Sequence, residues 1–418
     1  MLRLSFAFAV FVSFVAIAAT PARGAPPSKP DADPKSLTVP TEELSKAREL
    51  VQKLGSETFV ERESAEHDLA AMGRLARAAL LDGVNLDPDP EIRARCRTLL
   101  PKATAEEMKA RLDSFLADTE GKYEHDLPGW HKLRATVRGE WKMFGWTYTA
   151  RPNADKAARE LFIEFMKAPG GRHVLAALDG PAEELGQVVA TRKTEMYQAL
   201  YPRVAGVAPR VPTAAEVCVV VFAESQVHSR HVPRAIALST TITRSGIQGV
   251  AQGTDDRAMA MRAVMNAWFD SRTDAAELYA AFTLASNMNN NDAIGRLAGR
   301  IMSTPGVQGF YKGQVLTTMV RLKMNDQLPN IEKAFTDTTV LTTTIKVVNG
   351  VQVRQSIEVR DAALAAALVM TGQEPGEYGF DAFPKSTGTS FSYVWAKIPE
   401  DKRKEAFEKW KTWREKKP

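Results

Sequence analysis

Between residues 281 and 335 the apolar positions of this chain form two copies of one pattern. Ala281, Phe282, Ala285 and Met288 precede a polar turn, and Ile294, Leu297 and Ile301 follow it. Displaced by 34 residues, these become Val315, Leu316, Met319, Leu322, Leu328, Ile331 and Phe335, all apolar, and Asp292 in the turn falls on Asp326. Recurrence every three or four positions predicts two short amphipathic helices per copy. A helix pair of that length cannot bury its stripe alone and must stack on neighbours, which is the pattern of an α-solenoid. A displacement of 48 brings Leu316, Met319 and Leu322 onto Leu364, Ala367 and Met370, so 14 residues more than the first spacing are inserted. They match the stretch Thr338 to Val353, rich in Thr, Val and Ile, with Asn349-Gly350 between two β-branched runs. That is a hairpin signal. The expected fold class is all-α: an α-solenoid of helix pairs with one inserted β-hairpin at about 340–355.

Elsewhere the same periodicity predicts helices from Glu42 to Leu54, with Thr41 as N-cap, and then Phe59 to Met72, Leu75 to Val84, Glu91 to Leu100 and Ala105 to Leu116. Further helices are predicted from Ala154 to Lys167, Gly171 to Leu178 and Ala182 to Leu200, and two more within 256–287. Residues 213–225 read as strand or helix by composition, and their helical neighbours favour helix. Between 103 and 150 the pattern is less regular. Tyr123, Trp130, Trp141, Phe144, Trp146 and Tyr148 crowd there among Gly and Pro. Such a cluster packs a domain junction or lines a cleft, which makes Trp130, Trp141 and Trp146 the candidate binding-surface residues. A last helix, Pro399 to about Lys416, carries Phe407, Trp410 and Trp413 on one face. It reads as a cap on the final repeat, the alternative being a helix lying on an anionic membrane. The expected organisation is 1–24, signal peptide; 25–40, Pro-rich linker; 41–102, N-terminal repeats; 103–150, aromatic-rich junction; 151–255, helical middle; 256–372, repeats with the hairpin; 373–418, loop and capping helix.

The N-terminus changes the picture of where such a protein works. Arg3 precedes an uncharged apolar run from Leu4 to Ala19, and Ala22-Arg23-Gly24 places small residues at −3 and −1 of a cleavage site before Ala25. The expectation is export to the periplasm or the extracellular space. A retained anchor is the alternative, although the run is short of the roughly 20 residues of a membrane span. Pro26, Pro27, Pro30, Pro34 and Pro40 then suggest an extended tether. Without Arg3 and Arg23, 53 of the 55 basic residues face 50 acidic ones, a net charge of +3, with a surplus of four positive charges gathered in residues 397–418. That balance does not indicate nucleic-acid binding. Cys96 and Cys218, the two cysteines, read as buried thiols, with one disulfide as the alternative in an oxidising compartment.

Two stretches carry a family likeness. Arg62, Ala65 and Leu69 reappear 31 residues later as Arg93, Cys96 and Leu100, and Asp87-Pro-Asp-Pro-Glu-Ile-Arg opens the second copy. Over about sixty residues this resembles HEAT-like repeats, in which a D-P-x-[VI]-R stretch opens a helix. Ile92 and Arg93 match it, whereas Glu61 stands at the position aligned with Ile92. The region 256–372 also resembles HEAT or armadillo-type repeats. The whole is similar to secreted bacterial HEAT-like helical repeat proteins. That resemblance implies a scaffold or binding role and an Arg tying one repeat to the next, and it transfers no catalytic residue; no cofactor is expected. The expected partner is a protein or a cell-envelope component.

Catalytic motifs are few. Glu224, His228 and His231 have a spacing able to hold a divalent ion, the basis of a rival reading as a metal-dependent hydrolase, but no H-E-x-x-H accompanies them. His125-Asp126 with His131 is a second, weaker pairing. G-x-S-x-G and G-x-x-x-x-G-K-[ST] do not occur.

Overall fold

The computed structural model describes residues 30–416, apart from 140, 144–145, 149–152, 204–205, 234–236, 349–350, 382 and 385–390. The expected signal segment, residues 1–24, lies outside the described residues, as does the hairpin turn Asn349-Gly350. The chain divides into two compact units, ending and beginning at His125 and Asp126.

The first unit holds α1 (Thr41–Lys53), α2 (Phe59–Met72), α3 (Arg77–Leu86) and α4 (Pro90–Ala117). Their stripes meet in a core of Leu50, Val51, Leu54, Ala65, Leu69, Leu80, Ile92 and Cys96. The 31-residue repeat is real at the level of single bonds. Arg62 donates Nη1 to the carbonyls of Ser56 and Glu57, and Arg93 donates Nη1 to those of Asp87 and Pro88. Each guanidinium therefore fastens the loop that enters its own helix, rather than tying one repeat to the next as the family likeness implied. The close approach of α1, α3 and α4 depends on Gly83, where a Cβ would lie 2.7 Å from Cys96 Sγ.

Three expectations change here. Thr41 is the first helical residue and Pro40 occupies the N-cap, which has no side-chain bond. The predicted break after Leu100 is absent, and α4 continues through Pro101 for 28 residues. Proline there removes one donor, and the burial of Cys96 and Ala103 on either side keeps the helix seated. The linker is not a free tether at its end. Residues Pro34–Leu37 form a 3₁₀ turn, Arg74 donates to the carbonyl of Leu37, and Ser114 to that of Ala32.

The second unit contains α5 (Trp130–Arg138), a short ribbon of β1 (Trp141–Met143) and β2 (Trp146–Tyr148), then α6 (Ala154–Lys167), α7 (Gly171–Ala177), α8 (Ala182–Leu200), α9 (Ala214–Ser225), α10 (Leu238–Arg244), α11 (Ile247–Ala251), α12 (Asp256–Ser271), α13 (Ala275–Asn287), α14 (Asn291–Ser303), α15 (Gly309–Arg321), α16 (Leu328–Lys333), the paired β3 (Val340–Val348) and β4 (Val351–Glu358), α17 (Val359–Met370) and α18 (Glu400–Lys416). The chain is thus all-α with antiparallel hairpins. The ribbon at 141–148 was not expected. Its Trp and Tyr residues, read as packing groups, also favour strands.

The valine-rich stretch is helix α9, with every residue from Glu216 to Glu224 buried. Helices α6, α7, α8, α11 and α12 surround it. A helix apolar all round is stable only in such a position. This part is organised around a central helix and not as a stack of pairs.

Further on, consecutive helices pack in sequence: α13 on α14, α14 on α15, and α15 and α16 on α17. Ala285, Met319, Leu297 and Ile331, the positions that the 34-residue pattern equates, are all fully buried. The repeat extends to the helix ends. Asn289 and Lys323, 34 apart, are the two non-glycine residues with positive φ among those described, at 52° and 51°. Gly372 has φ 74° after α17. Each is the left-handed residue of a Schellman motif. Asn290 N donates to Ala285 O, Met324 N to Met319 O and Gln373 N to Leu368 O, and the inner bonds run from Asn289 to Ser286, Lys323 to Val320 and Gly372 to Val369. The caps set the third displacement at 49, since 372 − 323 = 49, and not at the 48 suggested by apolar matching. Helix α17 is buried on nearly every face, so apolar matching had no power to fix its register.

Candidate functional site

Glu224 lies in the last turn of α9 and is buried. Lys193 of α8 approaches its Oε1 at 2.5 Å, and Trp268 Nε1 of α12 donates to its Oε2 at 2.6 Å. Arg272, one turn beyond Trp268, lies 3.4 Å from the same oxygen, donates to the Glu224 carbonyl, and sits over the Trp268 ring at 4.9 Å. Its other carboxylate neighbour is Glu277 of α13, at 3.6 Å. Lys193, Glu224 and Arg272 are all buried. Two cations thus meet two carboxylates and join α8, α9, α12 and α13. Burial is the largest influence on Glu277, and it lifts the pKa above the usual Glu value although Arg272 opposes it.

This arrangement answers the metal question in physical terms. Both Glu224 oxygens already accept bonds from Lys193 and Trp268. His228 caps the 3₁₀ turn Ser229–His231 by accepting from Arg230 N and is exposed. His231 lies against Glu183 at 3.1 Å and accepts from Arg230 Nε. The three residues do not converge, and no group of three His, Cys, Asp or Glu able to hold an ion occurs among the described residues. The second pairing fares similarly. His125 is buried, edge-on to Phe115, with Nε2 3.0 Å from Asp118, whose carboxylate also accepts from Lys122 N and Tyr123 N. It latches the end of the first unit. Asp126 and His131 are exposed.

Of the aromatic candidates, Trp130 is buried and packs edge-on against Phe162 at 5.4 Å, so it serves the core. Trp141 pairs with Tyr148 and Trp146 with Met143 in the short ribbon; their side chains lie outside the described residues. Both cysteines are free and buried. Burial, reinforced by Asp87, raises the Cys96 thiol to about 11, and burial also raises Cys218. The aromatic face of α18 turns inward. Phe407 and Trp410 meet Phe335 at 5.3 and 5.9 Å, Arg414 bonds Glu332, and Arg403 forms a buried bidentate pair with Asp361.

The opening that sequence reasoning missed is a groove of about 610 Å³ in the first unit, between α1, α3 and the entry of α4. Val51, Ala79, Gly83 and Ile92 form its apolar floor; Arg48, Gln52, Asp82 and Asp87 form its polar walls, and Leu86 stands exposed on its rim. Arg48 pairs with Asp82, and Gln52 donates to Asp87, linking the walls α1 and α3 across the groove. Spacing offered a signal: Arg48 and Asp82 lie 34 residues apart on helices that the 31-residue repeat makes neighbours. An arginine that sequence reasoning did not single out joins two helices here. Arg300 of α14 donates to the carbonyls of Phe269, Asp270 and Arg272 at the end of α12.

Comparison with protein-family models, with curated proteins and with solved structures finds no match to this chain.

Proposed function

We propose that the protein is an exported, non-catalytic scaffold built from HEAT-like helix repeats, which binds a protein or cell-envelope partner through a surface between stacked helices. The observation that carries this reading is the Schellman closure repeated at Asn289, Lys323 and Gly372, at the ends of α13, α15 and α17. Equivalent closures recurring along the chain support a reading as stacked helical repeats, a class that presents extended concave surfaces. The groove of the first unit, with an apolar floor and hydrogen-bonded polar walls, has the character of a recognition site. The consumption of Glu224 by Lys193, Trp268 and Arg272 argues against the hydrolase reading.

A photo-crosslinking residue at Leu86, on the groove rim, tests the proposal in cells, with Lys53 at the exposed end of α1 as the control. A discrete protein or polymer adduct at Leu86 and none at Lys53 is expected. Equal labelling at both positions, or none at either, would remove the groove from consideration. N-terminal sequencing of the same material tests export, with Ala25 as the expected first residue.

A further inference from the structure

The β3–β4 ribbon is anchored at its base, where Val340 and Leu341 lie against Gly309 of α15. Leu341 and Ile357 are buried, and a register irregularity between Val340 and Thr342 leaves Leu341 as the extra, inward residue. Above that point Thr343 is exposed and Ile345 is 56% exposed. Eight residue pairs hold the two strands together, and among the described residues no third strand joins the sheet.

In antiparallel pairing, hydrogen-bonded and non-hydrogen-bonded pairs alternate. Val348 faces Val351 across a two-residue connection, so that pair is hydrogen-bonded, as are 346:353, 344:355 and 342:357. The intervening pairs, 343:356, 345:354 and 347:352, are not bonded to each other. The 3.1 Å contact between the Thr343 and Ser356 hydroxyls fits the closer side-chain spacing of such a pair. The N–H and C=O groups of Thr343, Ile345 and Val347 therefore point outward along the free edge of β3.

Exposed edges are usually protected by charge, proline or short length. Strand β3 has nine residues, no proline or glycine, and one charge, Lys346. We infer that β3 is a self-association edge, pairing antiparallel with β3 of a second copy about a two-fold axis at Ile345. About that axis the outward main-chain groups pair in register. Thr343 meets Val347 of the other copy, Ile345 meets Ile345, and Val347 meets Thr343, with two main-chain hydrogen bonds in each pair. Lys346 then lies opposite Thr344 and not opposite its own copy. The near-neutral strand suits a copy of itself better than the outer edge of β4, which carries Arg354 and Glu358. The contact is isologous and closes at two chains. Its small area places it among weak, reversible associations, below about 1,200 Å².

Sedimentation of the full chain over a concentration series up to about 100 μM, a range suited to that weak class, gives the first readout. A monomer–dimer equilibrium is expected, and a monomer throughout overturns the inference. Ile345→Pro removes one outward donor without breaking a bond inside the ribbon, and Ile345→Lys adds charge to the edge. Both are expected to shift the equilibrium to monomer with unchanged circular dichroism. A dimer that persists in both variants overturns the inference. Ile345→Cys places the only accessible thiol on the axis, since Cys96 and Cys218 are buried. Mild oxidation is expected to give a 345–345 disulfide, and a dimer that forms without that crosslink uses another surface and overturns it. Binding of an extended peptide at this edge, with no dimer, is likewise a contrary result.

Discussion

Residues 289, 323 and 372 occupy one backbone position in three successive copies but carry Asn, Lys and Gly, an experiment already written into the chain. All three have positive φ, at 52°, 51° and 74°. The left-handed conformation costs an ordinary L-residue on the order of 1–2 kcal/mol, while glycine brings back roughly 0.5–1 kcal/mol of lost chain entropy. Lys323→Gly is therefore expected to stabilise the second unit by about 0.5–1 kcal/mol. Lys323 is exposed, so the substitution removes no packing. Asn289→Gly gains only a few tenths, because Asn tolerates this region. Gly372→Ala is the mirror test. A Cβ there meets nothing within 4 Å, so its cost of about 1 kcal/mol is conformational and not steric. Urea unfolding gives the differences directly, with melting shifts of roughly 2 °C per kcal/mol expected for a unit of this size. If Gly372→Ala is neutral, or Lys323→Gly destabilises, the equivalence of the three caps is wrong.

Other consequences are as direct. Glu224→Gln leaves Lys193 buried without its counter-charge and should cost about 3–5 kcal/mol by urea unfolding at pH 7, the range for breaking a buried pair; a loss under about 1 kcal/mol would show that solvent reaches the cluster. For Glu277 the folded pKa is raised, so the folded state holds the proton more tightly than the unfolded chain. The stability contributed by this group is full below the unfolded value of about 4.3 and falls as pH rises through the raised folded value. Glu277→Gln should flatten that fall in a pH series of melts, and an unchanged pH profile would contradict the assignment. Gly83→Ala should destabilise the first unit by roughly 1–3 kcal/mol, because its Cβ would meet Cys96 Sγ and Val51, and overpacking carries such a cost. Cys96 and Cys218 should resist thiol reagents in the native protein and react on unfolding; rapid native modification would refute their burial.

Periodicity was legible in the longer helices that bury one face, whereas the short helices α5, α10 and α11 went unpredicted. Helices at Phe59–Met72, Ala154–Lys167 and Ala182–Leu200 agree with their predicted limits to the residue, since Gly and Pro punctuate each of them. It failed in three kinds of place. A fully buried helix such as α17 has no polar face, so one-residue shifts looked equivalent until its cap geometry fixed them. A single proline reads as a stop, yet α4 passes through Pro101 because long-range packing outweighs one lost hydrogen bond. The charged residues were the least legible. Glu224 was noticed for its distance along the chain from two histidines, whereas its partners Lys193, Trp268 and Arg272 lie 31, 44 and 48 positions away. The groove at Arg48, Gln52, Asp82 and Asp87 likewise joins helices that only folding brings together.

The ribbon leaves and re-enters the helical array at nearly one point. Val359 N donates to Thr339 O and Arg360 N to Asp337 O, so the flanks of the insertion are stitched to each other. The register of the array is kept by the helix caps, and the step from 34 to 49 residues does not disturb it. Lengthening a closed loop costs little, about 0.6 kcal/mol for each doubling. The junction between Thr339 and Val359 is therefore a permissive docking port for passengers: a shorter turn, a longer ribbon or a whole foreign domain with adjacent termini can be carried there. In evolution or in the laboratory, this is where such a chain acquires new appendages while its framework stays the same.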